Sequence, residues 1–275
     1  MQLQRIVIGV DFSPASADAA RWAAKHFQSG AELILANVVT SQQGDGSVSL
    51  DGNRARLREL GESMRAESIR FETREGNAAR SLSDLATEAG ADLLIVGAHG
   101  ERAGRDGTLG TTAQYVVRES TVPVLVVAHP DQDSISRILV PVDEEATARE
   151  SLRWAALLSE RFNAVVTILH VDATGAMSYP AAPQLNTTPS SSDNRTSERW
   201  TALASECGIS KERVTSEESL GVPAVEIVAA ATRSAADIIV MGRTAAHSFR
   251  RAVLGSVTST VLSNPPCSVL VVFAS

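Results

Sequence analysis

The stretch that decides the fold is Ala91–Thr112, ADLLIVGAHGERAGRDGTLGTT. It begins with a short apolar run of the kind that forms a strand buried on both faces of a parallel sheet. Five glycines follow, and the stretch ends on Gly-Thr-Thr, which suits the beginning of a helix. The strand and the first and last of these glycines recur in ADIIVMGRTAAHSFRRAVLGS, at Ala236–Ser256. The order of strand, loop and helix therefore predicts one step of an α/β fold, present twice.

The repetition extends over nearly the whole chain. Arg5–Asp11, RIVIGVD, matches Arg137–Asp143, RILVPVD. The spacing between matching residues grows from 132 to 145 along the chain, so the second copy carries a net insertion of 13 residues. Most of it falls within 172–195, which is rich in Ser, Thr, Pro and Ala and has no regular period, so we predict a loop there. We predict one domain over 1–131 and a second over 136–275, joined by a short polar connector.

Within each copy, short runs of Val, Ile and Leu alternate with longer stretches of helical period. The first helix should follow Asp11, with Ser13 or Ser16 as its capping residue. Its buried stripe should include Ala23 and Phe27. This alternation with short connections predicts a doubly wound α/β fold in each copy. The strands predicted in the first copy are Arg5–Val10, Glu32–Val39, Ile69–Arg74, Asp92–Val96 and Val122–Val127.

Composition excludes several classes of protein. The chain has 275 residues, a hydrophobic fraction of 44% and a formal net charge of −7, a profile that argues against nucleic acid as a partner. No apolar run approaches the roughly 20 residues that cross a bilayer, so we expect no membrane insertion and no secretory signal. Cys207 and Cys267 lie far apart and form no metal-binding pair. We therefore expect a reducing compartment, the cytoplasm.

The glycine-rich loop has the chemistry of a phosphate site. Ligands of open α/β sheets bind beyond the carboxyl ends of the strands, which is where this loop begins. A helix N-terminus presents unpaired N–H groups and the positive end of the helix dipole, and glycines let the backbone approach an anion closely. The loop is no Walker A sequence because it contains no lysine, and its glycine spacing differs from the dinucleotide pattern GxGxxG.

The spacing Gly97-x2-Gly100-x9-Gly110-Thr111, together with the runs RIVIGVD and VPVLVV, closely resembles the universal stress protein family. The resemblance covers both copies apart from the insertion, and the glycine spacing is that of the family's ATP-binding branch. It implies two tandem five-stranded parallel sheets of order 3-2-1-4-5, like those of the adenine nucleotide alpha hydrolases. It also implies an ATP-binding regulatory module of the stress response, and no fast enzyme.

The resemblance assigns roles to residues of the first copy. It implies that Asp11 bonds the adenine or ribose and that Val38 packs on the base. Mg2+ or Mn2+ would bind through phosphate oxygens, with no direct protein ligand. For His99 we favour a contact with phosphate or backbone over catalysis, because the motif offers no acidic partner to orient the ring. The residues implied to hold the ribose and phosphates are Gly97, Gly100, Gly110, Thr111 and Thr112.

The second copy keeps only part of this pattern. Ala245 stands where the first copy has its middle glycine, and a left-handed backbone at alanine costs about 1–2 kcal/mol. A cost of that size corresponds to roughly tenfold in affinity. We therefore predict a second site that binds ATP weakly or not at all. The site residues that remain at matching positions are Asp143, Val171, Gly242, Gly255 and Ser256.

Simpler interpretations of single features remain open. Asp11 would also serve to cap the following helix, and the glycine-rich loop would also suit a surface loop without a ligand. Arg102 and Arg105 would either contact a γ-phosphate or be solvated surface charges. Trp22 and Trp154 recur at matching helix positions, which predicts packing and no cofactor contact.

Two further functions remain as alternatives: a slow metal-dependent ATP hydrolase, and a dimeric scaffold that binds no nucleotide. The chain lacks the histidine, lysine and SGGxDS-like motifs of adenylyl transferases and ATP pyrophosphatases. The family resemblance implies that the two domains pair through their last strands and that chains form homodimers. It further implies a regulatory protein partner, which the sequence does not identify.

Overall fold

The computed structural model groups the chain into two compact units, and each is a sheet covered by helices. The structure describes residues 2–40, 49–64, 66–99, 109–143, 145–173, 194–243 and 254–273. Of these, the first unit holds 2–132 and Ser268–Val271. The second unit holds 133–243, 254–267 and 272–273.

Strands and helices alternate through both units. The elements of the first copy are β1 (Arg5–Gly9), α1 (Pro14–Phe27), β2 (Glu32–Val39), α2 (Leu50–Met64), β3 (Ile69–Glu75), α3 (Ala78–Glu88), β4 (Leu93–Gly97), α4 (Thr111–Glu119) and β5 (Val124–Val127). Those of the second are β6 (Arg137–Val142), α5 (Glu145–Phe162), β7 (Val165–Asp172), α6 (Asn194–Glu206), a 3-10 turn (Lys211–Arg213), β8 (Val214–Leu220), α7 (Pro223–Arg233), β9 (Ile238–Arg243), α8 (Ser256–Ser263) and β10 (Ser268–Phe273).

The sheet of the first unit has the order β3-β2-β1-β4-β5, and its neighbouring strands are parallel. The predicted order 3-2-1-4-5 is confirmed here. The four residues Ser268–Val271 of β10 add an antiparallel strand beside β5, with Leu270 opposite Leu125. The central strands β1, β2 and β4 are buried along nearly their whole length, which explains their continuous apolar sequences.

Helices cover both faces of this sheet. Helix α1 packs on β1 and β4 and beside α2, whereas α3 packs on β1 and β2 and beside α4. The stripe predicted for α1 is confirmed, since Ala23 and Phe27 are fully buried. The predicted packing roles of Trp22 and Trp154 are also confirmed, since both side chains are 2% exposed.

The second unit repeats the arrangement with the order β8-β7-β6-β9, again parallel between neighbours. The strand predicted as fifth in this copy is β10, most of which groups with the first unit. The loop predicted over 172–195 is wrong at both ends, since β7 extends to Asp172 and α6 begins with Asn194 and Arg195. The stretch 174–193 lies outside the described residues.

A repeated aspartate holds the beginning of the first strand in each copy. Oδ2 of Asp92 accepts hydrogen bonds from the backbone N–H groups of Gln4 (2.6 Å) and Arg5 (2.9 Å). Oδ2 of Asp237 accepts from the N–H groups of Ser136 (2.5 Å) and Arg137 (2.8 Å) and from the Ser136 hydroxyl (3.0 Å). The repeated Ala-Asp before the fourth strand therefore has a structural role, which the sequence alone did not indicate.

Candidate functional site

The candidate site of the first unit lies where the order of the sheet reverses. Strand β1 leads to β2 on one side and pairs with β4 on the other, so the connections after β1 and β4 leave in different directions. Such a switch point opens a crevice beyond the carboxyl ends of the strands. Asp11 follows β1, Gly97 ends β4 and Gly110 precedes α4, so the structure brings these three residues to one edge of the sheet.

The turn after β1 is built around Asp11. Its Oδ1 accepts hydrogen bonds from the backbone N–H of Ser13 (3.0 Å) and from the Ser13 hydroxyl (2.6 Å). Ser13 in turn caps α1, where its side chain accepts from the N–H of Ser16 at 3.2 Å. Of the two capping candidates, Ser13 is therefore the one used. Asp11 orients this cap, and its carboxylate stays at the exposed edge of the sheet.

Phe12, between these residues, has a left-handed backbone with φ of 66°. A bulky L-residue pays about 1–2 kcal/mol for this conformation. Its ring lies under the guanidinium of Arg56, 3.9 Å from Cζ to the ring centroid, a favourable cation–π contact. The strain sits beside the candidate site, where fixed backbone geometry is often functional.

A buried amide pair holds the end of β1, and the sequence analysis missed it. Nδ2 of Asn37 donates to the carbonyl oxygen of Val10 (2.7 Å), and Nδ2 of Asn53 donates to Oδ1 of Asn37 (2.7 Å). The signal available in the sequence was one asparagine within the apolar run of β2. Val38, next along β2, is 9% exposed and lies one residue before the strand ends.

The beginning of α4 fits an anion. Gly110 is its N-cap, with φ of −62°, and supplies no side-chain hydrogen bond to the first turn. Its own N–H donates to the carbonyl of Ala98 (2.8 Å), which fixes the helix beside the end of β4. Thr111 and Thr112 are exposed in the first turn. Backbone N–H groups without a side-chain cap, flanked by two hydroxyls, suit a phosphate.

Parts of the predicted first site lie outside the described residues. These are Gly100, Arg102 and Arg105. His99, two residues after the end of β4, is half-buried. An ideal Cβ at Gly97 would lie 3.4 Å from the carbonyl oxygen of Ala15, an ordinary contact, so the strand end approaches α1 closely.

The matching region of the second unit contains a cavity of about 380 Å3. The five residues predicted for the second site all line it: Asp143, Val171, Gly242, Gly255 and Ser256. The structure thus brings together the complete set that the sequence comparison selected. Ala245 lies outside the described residues, so the predicted cost of that alanine stays a prediction.

Residues near the carboxyl ends of β6, β7 and β9 line the cavity. The ladder of β6 and β9 contains the pairs Ile138–Ile238 and Leu139–Ile239, one pair fewer than β1 and β4 form. Pro141 follows shortly afterwards and has no N–H to continue a ladder. On the other side of β6, Nδ1 of His170 lies 3.2 Å from the carbonyl of Val142. His170 thereby occupies the place that Asn37 has in the first unit.

Hydroxyl groups distinguish the two copies at this site. Thr147, Ser151 and Thr258 line the second cavity, and the matching residues of the first copy are Ala15, Ala19 and Ala113. Ser151 is 1% exposed and Thr258 is 3% exposed. The Ser151 hydroxyl donates to the carbonyl of Thr147 (3.1 Å), and the Thr258 hydroxyl donates to that of Gly242 (3.2 Å).

Other chemistry is limited in the part of the chain that the structure describes. That part contains no group of three or more His, Cys, Asp or Glu side chains placed to hold a metal ion. Its helices include none long and apolar enough to cross a membrane. Cys207 and Cys267 are free thiols, and burial raises the pKa of Cys267 to about 12, with the nearby charge of Asp237 adding to the shift.

Comparison with known proteins gives the family. The universal stress protein family model matches residues 2–128 and again residues 134–272. A universal stress protein of Methanocaldococcus jannaschii is 31% identical over 140 residues, 50% of this chain and 81% of that protein. The fold is shared with a universal stress protein from Archaeoglobus fulgidus, at a TM-score of 0.72 and 20% identity, covering 100% of this chain and 97% of that one. A functionally unknown protein from Pseudomonas aeruginosa also shares it, at 0.67 and 17% identity, covering 99% and 93%. The chain therefore belongs to the universal stress protein family and carries two of its domains in tandem.

Proposed function

We propose that the chain is an ATP-binding regulatory module whose nucleotide site lies in the first unit. The observation that carries this proposal is the beginning of α4, where Gly110 leaves the first turn without a side-chain cap. These N–H groups lie at the same edge of the sheet as Asp11 and Gly97. An anion placed there gains both the unpaired donors and the helix dipole.

Each predicted residue has a role that suits its place. Asp11 bonds the adenine or ribose, since its carboxylate stands at the exposed edge of the sheet. Val38 packs on the base. The ribose and phosphates are held by Gly97, His99, Gly100, Gly110, Thr111 and Thr112. Mg2+ or Mn2+ binds through phosphate oxygens and neutralises part of their charge.

The second unit holds ATP weakly in this proposal. Asp143, Val171, Gly242, Gly255 and Ser256 line its cavity. Ala245 replaces the middle glycine of the motif, and we expect its Cβ and backbone cost to weaken binding there. Occupation of the first site would then alter how the protein meets a regulatory partner. We further propose a cytoplasmic homodimer that acts in the stress response and binds neither nucleic acid nor membrane.

Two matched substitutions test the nucleotide site. Gly110 and Gly255 have φ values of −62° and −57°, which other residues adopt, so Gly110→Glu and Gly255→Glu should both fold. A glutamate at the beginning of α4 places negative charge where the phosphates would bind. We expect Gly110→Glu to abolish ATP binding in isothermal titration calorimetry with Mg2+ and Gly255→Glu to leave it unchanged.

The fate of bound nucleotide separates the functional alternatives. Nucleotide released from the purified wild-type chain is identified by mass spectrometry, and the chain is then incubated with Mg2+ and ATP. ATP that survives incubation supports a regulatory module, whereas prompt formation of ADP indicates a hydrolase. A chain that carries no nucleotide and shows no thermal shift with ATP would be the scaffold, and the proposal would be wrong.

A further inference from the structure

The second unit exposes an apolar patch at the end of β8, the last strand of its sheet. Leu220 ends this strand, Val222 is the N-cap of α7, and Val225 lies in the first turn of that helix. Their side chains are 54%, 55% and 59% exposed, and we call the three residues the 220–225 patch. The N–H of Val225 donates to the carbonyl of Val222 (2.9 Å), so the two valines share one turn. Exposed apolar side chains that adjoin one another mark interaction surfaces, whereas scattered ones do not.

The turn that carries the patch has the same backbone in both copies. The N-caps Val222 and Asn77 have φ of −81° and −78° and ψ of 116° and 120°. The glycine before each N-cap, Gly221 or Gly76, has a positive φ and donates its N–H to the last residue of the neighbouring strand, at 3.1 and 3.0 Å. The patch therefore differs from its counterpart in side chains alone.

The first copy has polar side chains at all three positions, namely Glu75, Asn77 and Arg80. Oδ1 of Asn77 accepts a hydrogen bond from the N–H of Arg80 (3.1 Å) and so caps α3. Val222 supplies no such cap to α7, and a helix without its N-cap hydrogen bond is less stable. Val222 gains little burial in return, since more than half of it is exposed. The patch thus lowers the stability of the fold, as functional surfaces often do.

The surroundings of the patch are acidic. The stretch Val214–Thr232 contains three glutamates and no lysine or arginine, whereas the matching stretch of the first copy contains three arginines and three acidic residues. Glu226 adjoins the patch on α7, and Asp172 stands opposite the end of β8 in the ladder. Arg233, which pairs with Glu217 at 3.2 Å, is the last residue of α7, at the other end of the helix from the patch. Positive charge on a partner would complement this edge.

The size and charge of the patch disfavour a second copy of the chain as its occupant. A stable interface buries about 800 Å2 on each partner, from roughly 20–30 residues, and the patch has three. Two copies joined there would also bring Asp172 and Glu226 of each copy toward the same carboxylates of the other. A short segment of another protein meets neither difficulty.

We propose that the 220–225 patch binds a partner protein through a short segment whose aliphatic side chains are flanked by lysine or arginine. The aliphatic side chains pack on the patch, and the cations meet Asp172 and Glu226. One such segment binds per chain, because the first copy has polar residues at the matching positions. The inference goes beyond the proposed function and holds with or without bound ATP.

A fluorescein-labelled peptide of alternating leucine and lysine is the probe, and fluorescence polarisation with the full-length chain measures its binding. The triple variant Leu220→Glu, Val222→Asn, Val225→Arg installs the residues of the first copy and leaves the net charge unchanged, so it separates the patch from general attraction to an acidic protein. It should weaken binding by about tenfold or more. Val165→Thr changes another exposed aliphatic residue, at the opposite end of β7 from Asp172, and should leave binding unchanged.

The charge of the probe tests the second half of the proposal. A peptide with glutamate in place of lysine should bind the wild-type chain about tenfold more weakly or worse, since its charges meet carboxylates. Equal binding of the two peptides would contradict the proposed complementarity.

Val222→Asn alone distinguishes a binding role from a structural one. Asparagine at this backbone conformation should restore the cap seen at Asn77, so the urea midpoint of unfolding should rise while peptide binding weakens. A valine that served the fold would give a lower midpoint instead, and that result would overturn the proposal.

Three further results would overturn it: a wild-type chain that does not bind the lysine peptide, binding that the triple variant retains, or a sedimentation mass that is larger for the wild-type chain than for the triple variant. The last result would make a second copy the occupant. Circular dichroism checks that each variant folds, and if the triple variant does not fold, Val222→Asn decides. Failure of the proposed function is distinguishable, because it appears as a wild-type chain that does not bind ATP, whatever the result with the peptide.

Discussion

Replacing Gly242 by alanine would place a Cβ in space that is already occupied. An ideal Cβ there lies 2.6 Å from Cγ2 and 3.1 Å from Cβ of Thr147. Carbon atoms in contact prefer about 3.5–4.0 Å, so one of the two residues must move. Thr147 is β-branched and stands on α5, where few rotamers are open to it. We expect Gly242→Ala to lower the free energy of unfolding by about 1–3 kcal/mol, the usual cost of overpacking.

The first unit supplies the matched control. At Gly97, the corresponding glycine, the nearest atom to an ideal Cβ is the carbonyl oxygen of Ala15 at 3.4 Å, because alanine stands where the second copy has Thr147. Gly97→Ala should therefore change the free energy of unfolding by no more than about 0.5 kcal/mol. Thr147→Ala in the Gly242→Ala background should recover most of the lost stability.

Urea denaturation measures these changes, and hydrogen exchange of peptides from β6 and β1 assigns them to the second or first unit. The four chains of the cycle between Gly242 and Thr147 give the coupling energy directly. Equal costs for Gly242→Ala and Gly97→Ala would refute the steric argument. So would a double variant as unstable as the sum of its single changes.

Three further changes test other parts of the fold. Asn37→Leu removes two buried 2.7 Å hydrogen bonds at the end of β1, and urea denaturation should show a loss of about 2–4 kcal/mol, because the remaining partners stay buried and unpaired. Asp237→Asn should cost more stability than Asp92→Asn in the same assay, since Asp237 accepts three hydrogen bonds and Asp92 two. The Cys267 thiol, with an ordinary pKa of 9.0 and a folded pKa of about 12, keeps its proton in the folded chain when the unfolded chain has lost it. The raised pKa therefore does not affect stability below pH 9. Between pH 9 and pH 12 it lowers the free energy of unfolding progressively, and the loss reaches about 2 kcal/mol at pH 10.5. When the pH is raised from 8.5 to 10.5, the free energy of unfolding should therefore fall by about 2 kcal/mol less in Cys267→Ala than in the wild-type chain.

The fold could be predicted because its strands are continuous apolar runs and because the chain repeats them. Strand β2 was predicted residue for residue, whereas β5 begins two residues later than predicted, at Val124, directly after Pro123. Proline has no N–H to join the ladder, and that local effect overrides an apolar pattern. The start of α6 at Asn194 was missed for a related reason, since a polar helix beginning inside a Ser-rich stretch has no apolar period to reveal it.

The candidate site could be predicted only where one residue carries the signal. Gly110 was selected by the glycine spacing of the loop and Asp11 by its place after the first strand, and their binding roles stay predictions. The amide pair of Asn37 and Asn53 was missed, because its partners come from different elements and only the folded chain brings them together. The buried hydroxyl of Thr258 was missed for the same reason, since its acceptor is the carbonyl at the end of β9.

Both copies hold the two ends of their first strand by side-chain hydrogen bonds from equivalent positions. Asp92 and Asp237 hold the beginning of the first strand in the same way, and both Asn37 and His170 hold its end by a hydrogen bond to the same carbonyl. Both sets of contacts are needed for the sheet alone, so both copies retain them. A residue that faces the cavity is under no such constraint, because alanine and a hydroxyl residue are equally compatible with the helix that carries it. Thr147, Ser151 and Thr258 therefore change the polarity of the second cavity without changing the elements that carry them.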